Sequence, residues 1–249
     1  MFLTDAIIRF YDSALALVYP QPCHVCGHSV ETRVDWIACR DCWNSTRIFS
    51  AADVFCWKCG ALAGGRVDMV ASEEVRCRRC EQNAFTAARA CGVYEKALRA
   101  AVLSLKKKPY VSPRVMELLT LAAGREPFAT CTRIVPVPLH PLRHRDRSFN
   151  QAQIIAEELS RRTSLPIDST NLVRTVHTDR HRAGMDAVSR RATVERAFAV
   201  CMPRLLRGER ILLVDDVFTS GATASACAET MLQTGAEAVF VLTIARTPN

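Results

Sequence analysis

Four Cys-x-x-Cys pairs near the start of this 249-residue chain constrain its fold more than any other feature of the sequence. They use eight of the 12 cysteines and are Cys23/Cys26, Cys39/Cys42, Cys56/Cys59 and Cys77/Cys80. Twelve residues separate the first two pairs and 17 separate the last two, and these intervals are typical of four-cysteine zinc ribbons. The pattern therefore predicts two tandem metal sites.

Each predicted site has four thiolates and no position for water, so its metal should be structural and not catalytic. We expect two Zn²⁺ ions with the cysteines paired in sequence order; a cross-braced pairing and iron in a rubredoxin-like site are the alternatives. Gly27 and Gly60 follow the first pair of each group, where a tight turn should point backbone amides at the thiolates. The chain shows no secretory signal pattern, and paired cysteines used for metal favour a reducing, cytoplasmic location.

The chain divides into three predicted parts. Residues 1–20 carry apolar positions at helical spacing and predict an amphipathic helix, with no run long enough to span a membrane. Residues 21–85 would form the double zinc ribbon. Residues 86–249 alternate strands with helices, which predicts an α/β domain with a central parallel sheet flanked by helices.

Hydrophobic periodicity locates the elements of the α/β part. The predicted strands are 88–94, 134–138, 211–214 and 238–244. The predicted helices are 95–105, 113–123, 151–162 and 223–233. The polar segment 174–196 is long for a connection, which favours a functional or mobile loop. Two of the four isolated cysteines, Cys91 and Cys227, lie in apolar patterns and should be core residues.

Charge differs along the chain. Residues 1–85 hold 9 Lys+Arg against 10 Asp+Glu, whereas residues 86–249 hold 24 against 15. The basic C-terminal part suits a polyanionic ligand, either a phosphorylated metabolite or nucleic acid.

The segment Ile211–Thr223 has the composition of a phosphate and sugar site. A continuous apolar strand leads to Asp215 and Asp216, and a run of small and hydroxyl residues then opens a helix. Small residues let the backbone approach a ligand, and the helix N-terminus attracts anions. Adjacent carboxylates at the end of a parallel strand could hold sugar hydroxyls, directly or with Mg²⁺.

This segment resembles the phosphoribosyl pyrophosphate (PRPP) motif of type I phosphoribosyltransferases, and the resemblance implies that fold for the α/β part. It implies catalytic roles for Asp215 and Asp216, which would contact the ribose hydroxyls. It also implies a PRPP-binding loop that consists of Val217, Phe218, Thr219, Ser220, Gly221, Ala222 and Thr223.

With its cysteine pairs, the whole chain resembles the ComF family, which joins a zinc module to such a domain. The resemblance continues through Val135–His140 and Phe149–Gln151, and it implies a pyrophosphate loop formed by Arg143, Arg145, Arg147 and Asn150. Guanidinium groups suit pyrophosphate because they bind phosphate oxygens in bidentate pairs. Ser148 stands where the family usually has glycine. Lys106–Lys108 is similar to a basic turn that faces the active site, although a helix end decorated with lysines explains it nearly as well.

The resemblance implies Mg²⁺-dependent binding of PRPP and transfer of its phosphoribosyl group to an unknown acceptor. The alternative is a non-catalytic protein that binds PRPP or a nucleotide, together with single-stranded DNA, because ComF-type proteins are associated with DNA uptake in competent bacteria. A protein of the competence machinery would then be a partner. Four aromatic residues among the cysteines could stack on bases but more often form a small core: Trp36, Trp43, Phe55 and Trp57.

Overall fold

The computed structural model describes residues 21–50, 53, 55–62, 77–139, 148–175 and 197–248. The strands are β1 (Ala87–Val93), β2 (Arg133–Pro136), β3 (Leu172–Arg174), β4 (Phe198–Val200), β5 (Arg210–Phe218) and β6 (Ala238–Arg246). The helices are α1 (Arg40–Asn44), α2 (Lys96–Leu105), α3 (Pro113–Ala123), α4 (Gln151–Thr163) and α5 (Ala222–Gln233).

Four strands form one parallel sheet in the order β1-β6-β5-β2. The central strands β5 and β6 begin with apolar runs, as expected of strands that are covered on both faces. The predicted α/β fold with a central parallel sheet and flanking helices is confirmed. In parallel sheets, the carboxyl ends of the strands share one edge, and ligands bind there.

Local sequence signals fix the helix starts. The hydroxyl of Ser112 accepts a hydrogen bond of 3.4 Å from the amide of Val115, and Pro113 occupies the first turn of α3. Such a cap satisfies an amide that has no partner inside the helix, while proline there loses no helical hydrogen bond. The observed α3 therefore has the predicted bounds.

Alternate residues of the strands pack into two separate cores. Leu212 and Leu242 lie in one core with α2, α3, α4 and the first cysteine group, which comprises Cys23, Cys26, Cys39 and Cys42. Leu213 and Val241 lie in the other core with α5 and the second cysteine group, which comprises Cys56, Cys59, Cys77 and Cys80. Since side chains of a strand alternate between faces, the two groups pack on opposite faces of the sheet.

The chain between the two groups passes along the edge of β1. The amide of Phe49 donates to the carbonyl of Cys91 at 2.8 Å, and the amide of Ala88 donates to the carbonyl of Lys58 at 2.7 Å. An isolated antiparallel bridge also joins Ile48 to Gly92. The cysteine-rich region therefore straddles the sheet and covers its β1 edge.

Several expectations changed. Strand β5 is longer than predicted and ends at Phe218, so Asp215 and Asp216 lie within it and not after it. Strands β3 and β4 form an antiparallel pair that was not predicted, and Arg174 ends β3. The predicted helix of residues 1–20 and most of the polar segment 174–196 lie outside the described residues. No helix in the described part of the chain is long and apolar enough to cross a bilayer.

Candidate functional site

The cysteines form two separate groups of four, each with its ligand atoms within 4.8 Å of one another. Sulfur–sulfur distances are 3.6 Å for Cys26–Cys39 and 3.5 Å for Cys56–Cys80. A tetrahedral ion with Zn–S bonds of about 2.3 Å would place the sulfurs about 3.8 Å apart. Both groups therefore fit a tetrahedral ion and could bind zinc, and the cysteines group in the predicted sequence order.

A turn at a cysteine pair is here called a knuckle, and the first knuckle of each group has the expected backbone conformation. Gly27 and Gly60 both have positive φ angles, +81° and +66°, which favour glycine. The amides of the two glycines donate to the carbonyl oxygens of Cys23 and Cys56. Other amides of the same turns point at the sulfurs as expected, those of Val25 and Cys26 at Cys23 and that of Cys59 at Cys56.

One cysteine of each group is predisposed to ionise. Burial raises the pKa of the Cys56 thiol, but the backbone amides of Cys59 and Cys77 outweigh it, and the pKa falls to about 6. The same opposition of burial and amides lowers the pKa of Cys23 to about 6. Metals bind the thiolate form, so the backbone amides around Cys23 and Cys56 favour the form that a metal requires.

Arg89 supplies positive charge beside the second cysteine group. Burial lowers the pKa of its guanidinium to about 10, and the charges of Cys56 and Cys59 act in the opposite direction. The guanidinium donates to the carbonyl of Trp57 at 2.7 Å and lies 5.2 Å from the centroid of its ring. Four thiolates around a divalent cation leave two negative charges, which a neighbouring guanidinium stabilises.

The acidic pair lies at the carboxyl end of β5. The carboxylate of Asp215 accepts a hydrogen bond of 2.8 Å from the amide of Asp216. Burial raises the pKa of Asp215 to about 8, and the neighbouring charge of Asp216 adds to the rise. Lys106 opposes it, with its ammonium 3.5 Å from the Asp216 carboxylate. The structure therefore brings Lys106, a residue that sequence analysis left open, to the acidic pair.

A tight turn joins β5 to α5. Thr219 and Ser220 are exposed, and Gly221 has a φ of +80° and precedes the first residue of the helix. The first helical hydrogen bond runs from the amide of Ser225 to the carbonyl of Gly221. Amide groups in the first turn of a helix lack intrahelical acceptors and attract anions. The predicted loop residues 217–223 thus comprise the end of β5, a turn at 219–221 and the N-terminus of α5, beside two acidic residues.

The predicted pyrophosphate loop is described only at its end. Arg143, Arg145 and Arg147 lie outside the described residues. The side chain of Asn150 accepts from the amide of Ala152 at 3.1 Å and donates to the carbonyl of Val137 at 3.0 Å. It therefore caps α4 and joins it to the end of β2, a role that sequence analysis missed although asparagine before a helix is a common capping signal.

Ser148 adopts a φ of +62°, in the left-handed region that favours glycine. The resemblance described above would place glycine at this position, and the backbone here has the conformation that glycine adopts most easily.

A cavity of about 750 Å³ lies away from the acidic pair, between the β1 edge and the end of α3. A cavity of only about 30 Å³ lies behind the turn after β5. Segments 140–147 and 176–196 lie outside the described residues. The side chains of the acidic pair and of Lys106 have the chemistry of a ligand site, and we take this place as the candidate site.

The aromatic residues divide between core and cavity. Trp43 is buried in the first core, as expected of a small core residue, and Trp36 is exposed and packs on Tyr110. Phe55 and Trp57 line the large cavity. The isolated cysteines Cys91 and Cys227 are buried, as predicted.

Several bacterial proteins of known name are similar in sequence to this chain. No protein-family model matches the chain. The DNA utilization protein YhgH of Escherichia coli K12 is 36% identical over 115 residues, 46% of this chain and 49% of the relative. Competence protein F of Haemophilus influenzae is 32% identical over 114 residues, 45% of this chain and 49% of the relative. In both matches, the chain spans about half the length of the relative.

A third relative aligns along nearly the whole chain. The DNA utilization protein YhgH of Salmonella typhi is 29% identical over 243 residues, 94% of this chain and 93% of the relative. The chain is thus similar in sequence to bacterial DNA utilization and competence proteins, and like the pattern predicted from the sequence it carries two groups of four cysteines. Among solved structures, a purine phosphoribosyltransferase from Pyrococcus horikoshii matches 54% of this chain and 81% of its own, with 15% identity and a TM-score of 0.34.

Proposed function

We propose that this chain is a ComF-like protein that binds PRPP with Mg²⁺ at the carboxyl end of β5 and transfers the phosphoribosyl group to a nucleophilic acceptor. The observation that supports it is the sequence of groups along one stretch of backbone: two carboxylates, a turn and a helix N-terminus. A sugar phosphate presents matching groups in the same order, hydroxyls and then a phosphate. We further propose residues 21–85 as the zinc module and 86–249 as the phosphoribosyltransferase domain.

Each part of the site has a proposed role. Asp215 and Asp216 would hold the ribose hydroxyls, and carboxylates of this kind are also suitable ligands for Mg²⁺. The amides and hydroxyls of residues 217–223 would hold the 5′-phosphate. Arg143, Arg145 and Arg147 would bind the pyrophosphate, together with Asn150 in so far as its capping contacts allow.

The transfer breaks the bond between the sugar carbon and pyrophosphate and forms a new bond from that carbon to the acceptor. Such a reaction depends on stabilising the charge that develops on the leaving group, more than on a strong base. Lys106 supports this view because its ammonium lies beside the acidic pair, where a positive charge could stabilise the negative charge of the leaving group. Mg²⁺, when bound, would neutralise part of the pyrophosphate charge.

Calorimetric titration of the full chain with PRPP and Mg²⁺ tests the proposal. Asp215→Asn combined with Asp216→Asn should abolish binding, because neither side chain could then act as a carboxylate towards the ribose hydroxyls or Mg²⁺. The matched control is Asp41→Asn with Glu229→Gln, which removes two exposed carboxylates, one of them on α5 itself. Pyrophosphate release with a panel of purine, pyrimidine and amine acceptors then tests transfer. If PRPP binds but no acceptor causes release of pyrophosphate, the chain binds PRPP without catalysing transfer.

A second candidate function is binding of single-stranded nucleic acid, and a specific feature favours it. The cavity of about 750 Å³ carries four aromatic rings, those of Phe49, Phe55, Trp57 and Phe128, with the guanidinium groups of Arg89 and Arg125 in the same lining. Aromatic rings stack on bases of any sequence and guanidinium groups attract the phosphate backbone. The relatives are DNA utilization and competence proteins, and these names agree with such a ligand and with a competence-machinery partner.

Fluorescence anisotropy with a labelled oligonucleotide tests this second function. Trp57→Ala should weaken binding about tenfold, in line with a loss of ~1–3 kcal/mol for one stacked base. Trp36→Ala is the control, since Trp36 is an exposed tryptophan of the same cysteine-rich region outside the cavity. Equal affinity of the two variants for the oligonucleotide would show that the cavity is not the binding surface.

A further inference from the structure

The second cysteine group lies against the turn that follows β5. Asn83, three residues after Cys80, is buried, and its amide donates to the carbonyl of Cys80 at 3.0 Å. A β-carbon built on Gly221 would lie 3.3 Å from the side-chain nitrogen of Asn83 and 2.8 Å from the ring of Phe218. The turn is thus in close packing contact with the residues that directly follow the last metal-ligand candidate.

Two more contacts continue from Asn83 along the chain. The amide of Ala84 donates to the hydroxyl of Ser225 on the first turn of α5, at 2.9 Å. The ring of Phe85 is fully buried and packs edge-on against Phe218, with 5.8 Å between ring centroids. Three successive residues therefore hold the turn and the start of the helix from one side.

The first cysteine pair of the second group reaches the same turn by another route. The buried guanidinium of Arg246, at the end of β6, donates to the carbonyl of Cys59 at 2.8 Å. It also lies 5.5 Å from the centroid of the Phe218 ring. Both knuckles of the second group are therefore joined to Phe218, one through Arg246 and one through Phe85.

The first cysteine group has a different set of contacts. Thr46, four residues after Cys42, accepts a hydrogen bond from the amide of Ala97 in α2. Arg114 of α3 stacks on the ring of Trp43 and forms an ion pair with Asp35. These contacts belong to the opposite face of the sheet. The two groups are thus alike in chemistry but differ in whether they contact the turn.

We infer that the second cysteine group positions the phosphate-binding turn, with Asn83, Phe85 and Arg246 as positioning residues. Occupancy of this group by metal, and not of the first group, then sets the affinity of the turn for a sugar 5′-phosphate. The inference rests on the proposed function, because it assigns the turn to the 5′-phosphate of the ligand. The mechanism is preorganisation: a turn already held in its binding conformation loses less conformational freedom when the phosphate binds.

The test compares two partial ligands of the full, zinc-loaded chain: ribose 5-phosphate, which needs the turn, and magnesium pyrophosphate, which does not. Cys77→Ser with Cys80→Ser should weaken ribose 5-phosphate binding about tenfold, equivalent to ~1.4 kcal/mol, and leave pyrophosphate binding unchanged. Cys39→Ser with Cys42→Ser, the equivalent change in the first group, should alter neither affinity more than about twofold. Parallel loss of both ligands in the second-group variant would indicate general damage and overturn the inference.

A milder pair keeps all eight ligand cysteines in case the serine variants do not fold. Asn83→Ala should retain both metal ions and still weaken ribose 5-phosphate binding selectively. Thr46→Val, which removes a buried contact of the first group, should not. Unchanged affinity in Asn83→Ala would contradict a positioning role.

Hydrogen exchange separates this inference from the proposed function. If the wild-type chain binds neither PRPP nor ribose 5-phosphate, the proposed function fails, yet the coupling is still measurable in the ligand-free protein. Amides 219–225 should exchange faster in Asn83→Ala than in Thr46→Val, because the turn loses a packing partner. Equal exchange rates in the two variants would overturn the coupling, whatever the ligand result.

Discussion

The ammonium group of Lys106 lies 3.5 Å from a carboxylate oxygen of Asp216, and its charge also lowers the pKa of the neighbouring Asp215. Replacement by methionine keeps the length of the side chain and removes the charge. Lys106→Met should therefore raise the pKa of Asp215 further, as measured by carbon NMR of labelled aspartate carboxyl groups. Lys107→Met is the control because Lys107 is exposed. A titration curve of Asp215 that is identical in both variants would contradict the contact.

Stability should fall with rising pH because of Asp215. Its pKa in the folded chain is about 8, above its ordinary value, so the folded state holds a proton that the unfolded state has released. The resulting stabilisation is complete below about pH 4, declines as pH rises, and is lost above about pH 8. Urea unfolding across this range should show that Asp215→Asn lacks the decline and is more stable than the wild type near pH 9. Parallel pH profiles for the two proteins would rule the assignment out.

The close approach of Gly60 to β1 predicts a costly substitution. A β-carbon on Gly60 would lie 2.4 Å from the carbonyl oxygen of Ala88, a backbone atom that cannot rotate away. Gly27 has a similar positive φ but nothing within 4 Å of such a carbon. Gly60→Ala should lower the free energy of unfolding by about 3 kcal/mol and Gly27→Ala by about 1 kcal/mol. Urea titration of the zinc-loaded variants measures the difference, and equal costs would show that backbone conformation alone decides.

Metal analysis should find two Zn²⁺ ions per chain, one for each cysteine group. Mass spectrometry under native conditions measures this count. Cys80→Ser should retain the ion of the first group and lose or weaken the second, since a structural site requires all four thiolates. Acidification should release both ions because protons compete for the sulfurs. Recovery of iron in place of zinc would favour a rubredoxin-like site.

Local signals made much of the α/β part predictable. Ser112 and Pro113 mark the start of α3 in the sequence, and the structure begins the helix there. The end of β5 was harder to foresee. Asp215 and Asp216 are polar and would ordinarily belong to a loop, but β5 stays paired with β6 as far as Phe218. That pairing joins residues distant in the chain, which periodicity within one segment does not reveal.

The candidate site, like the fold, was predictable from the sequence only in part. Spacing alone indicated the grouping of the cysteines, and the order of residue types indicated the acidic pair with its turn. The pairing of β3 with β4, the position of Lys106 and the placement of the two cysteine groups on opposite faces all depend on tertiary packing. The capping role of Asn150 could have been predicted, because an asparagine directly preceded a helical pattern.

The covering of β1 by the chain around Phe49 has a consequence for cells under oxidative or zinc stress. A bare strand edge offers unpaired N–H and C=O groups to any strand of another molecule. If the cysteine-rich region detaches when its sulfurs are oxidised or demetallated, this edge becomes a template for edge-to-edge addition. We expect such damage to cause aggregation, so that zinc bound by the cysteine groups would protect the solubility of the protein as well as its fold.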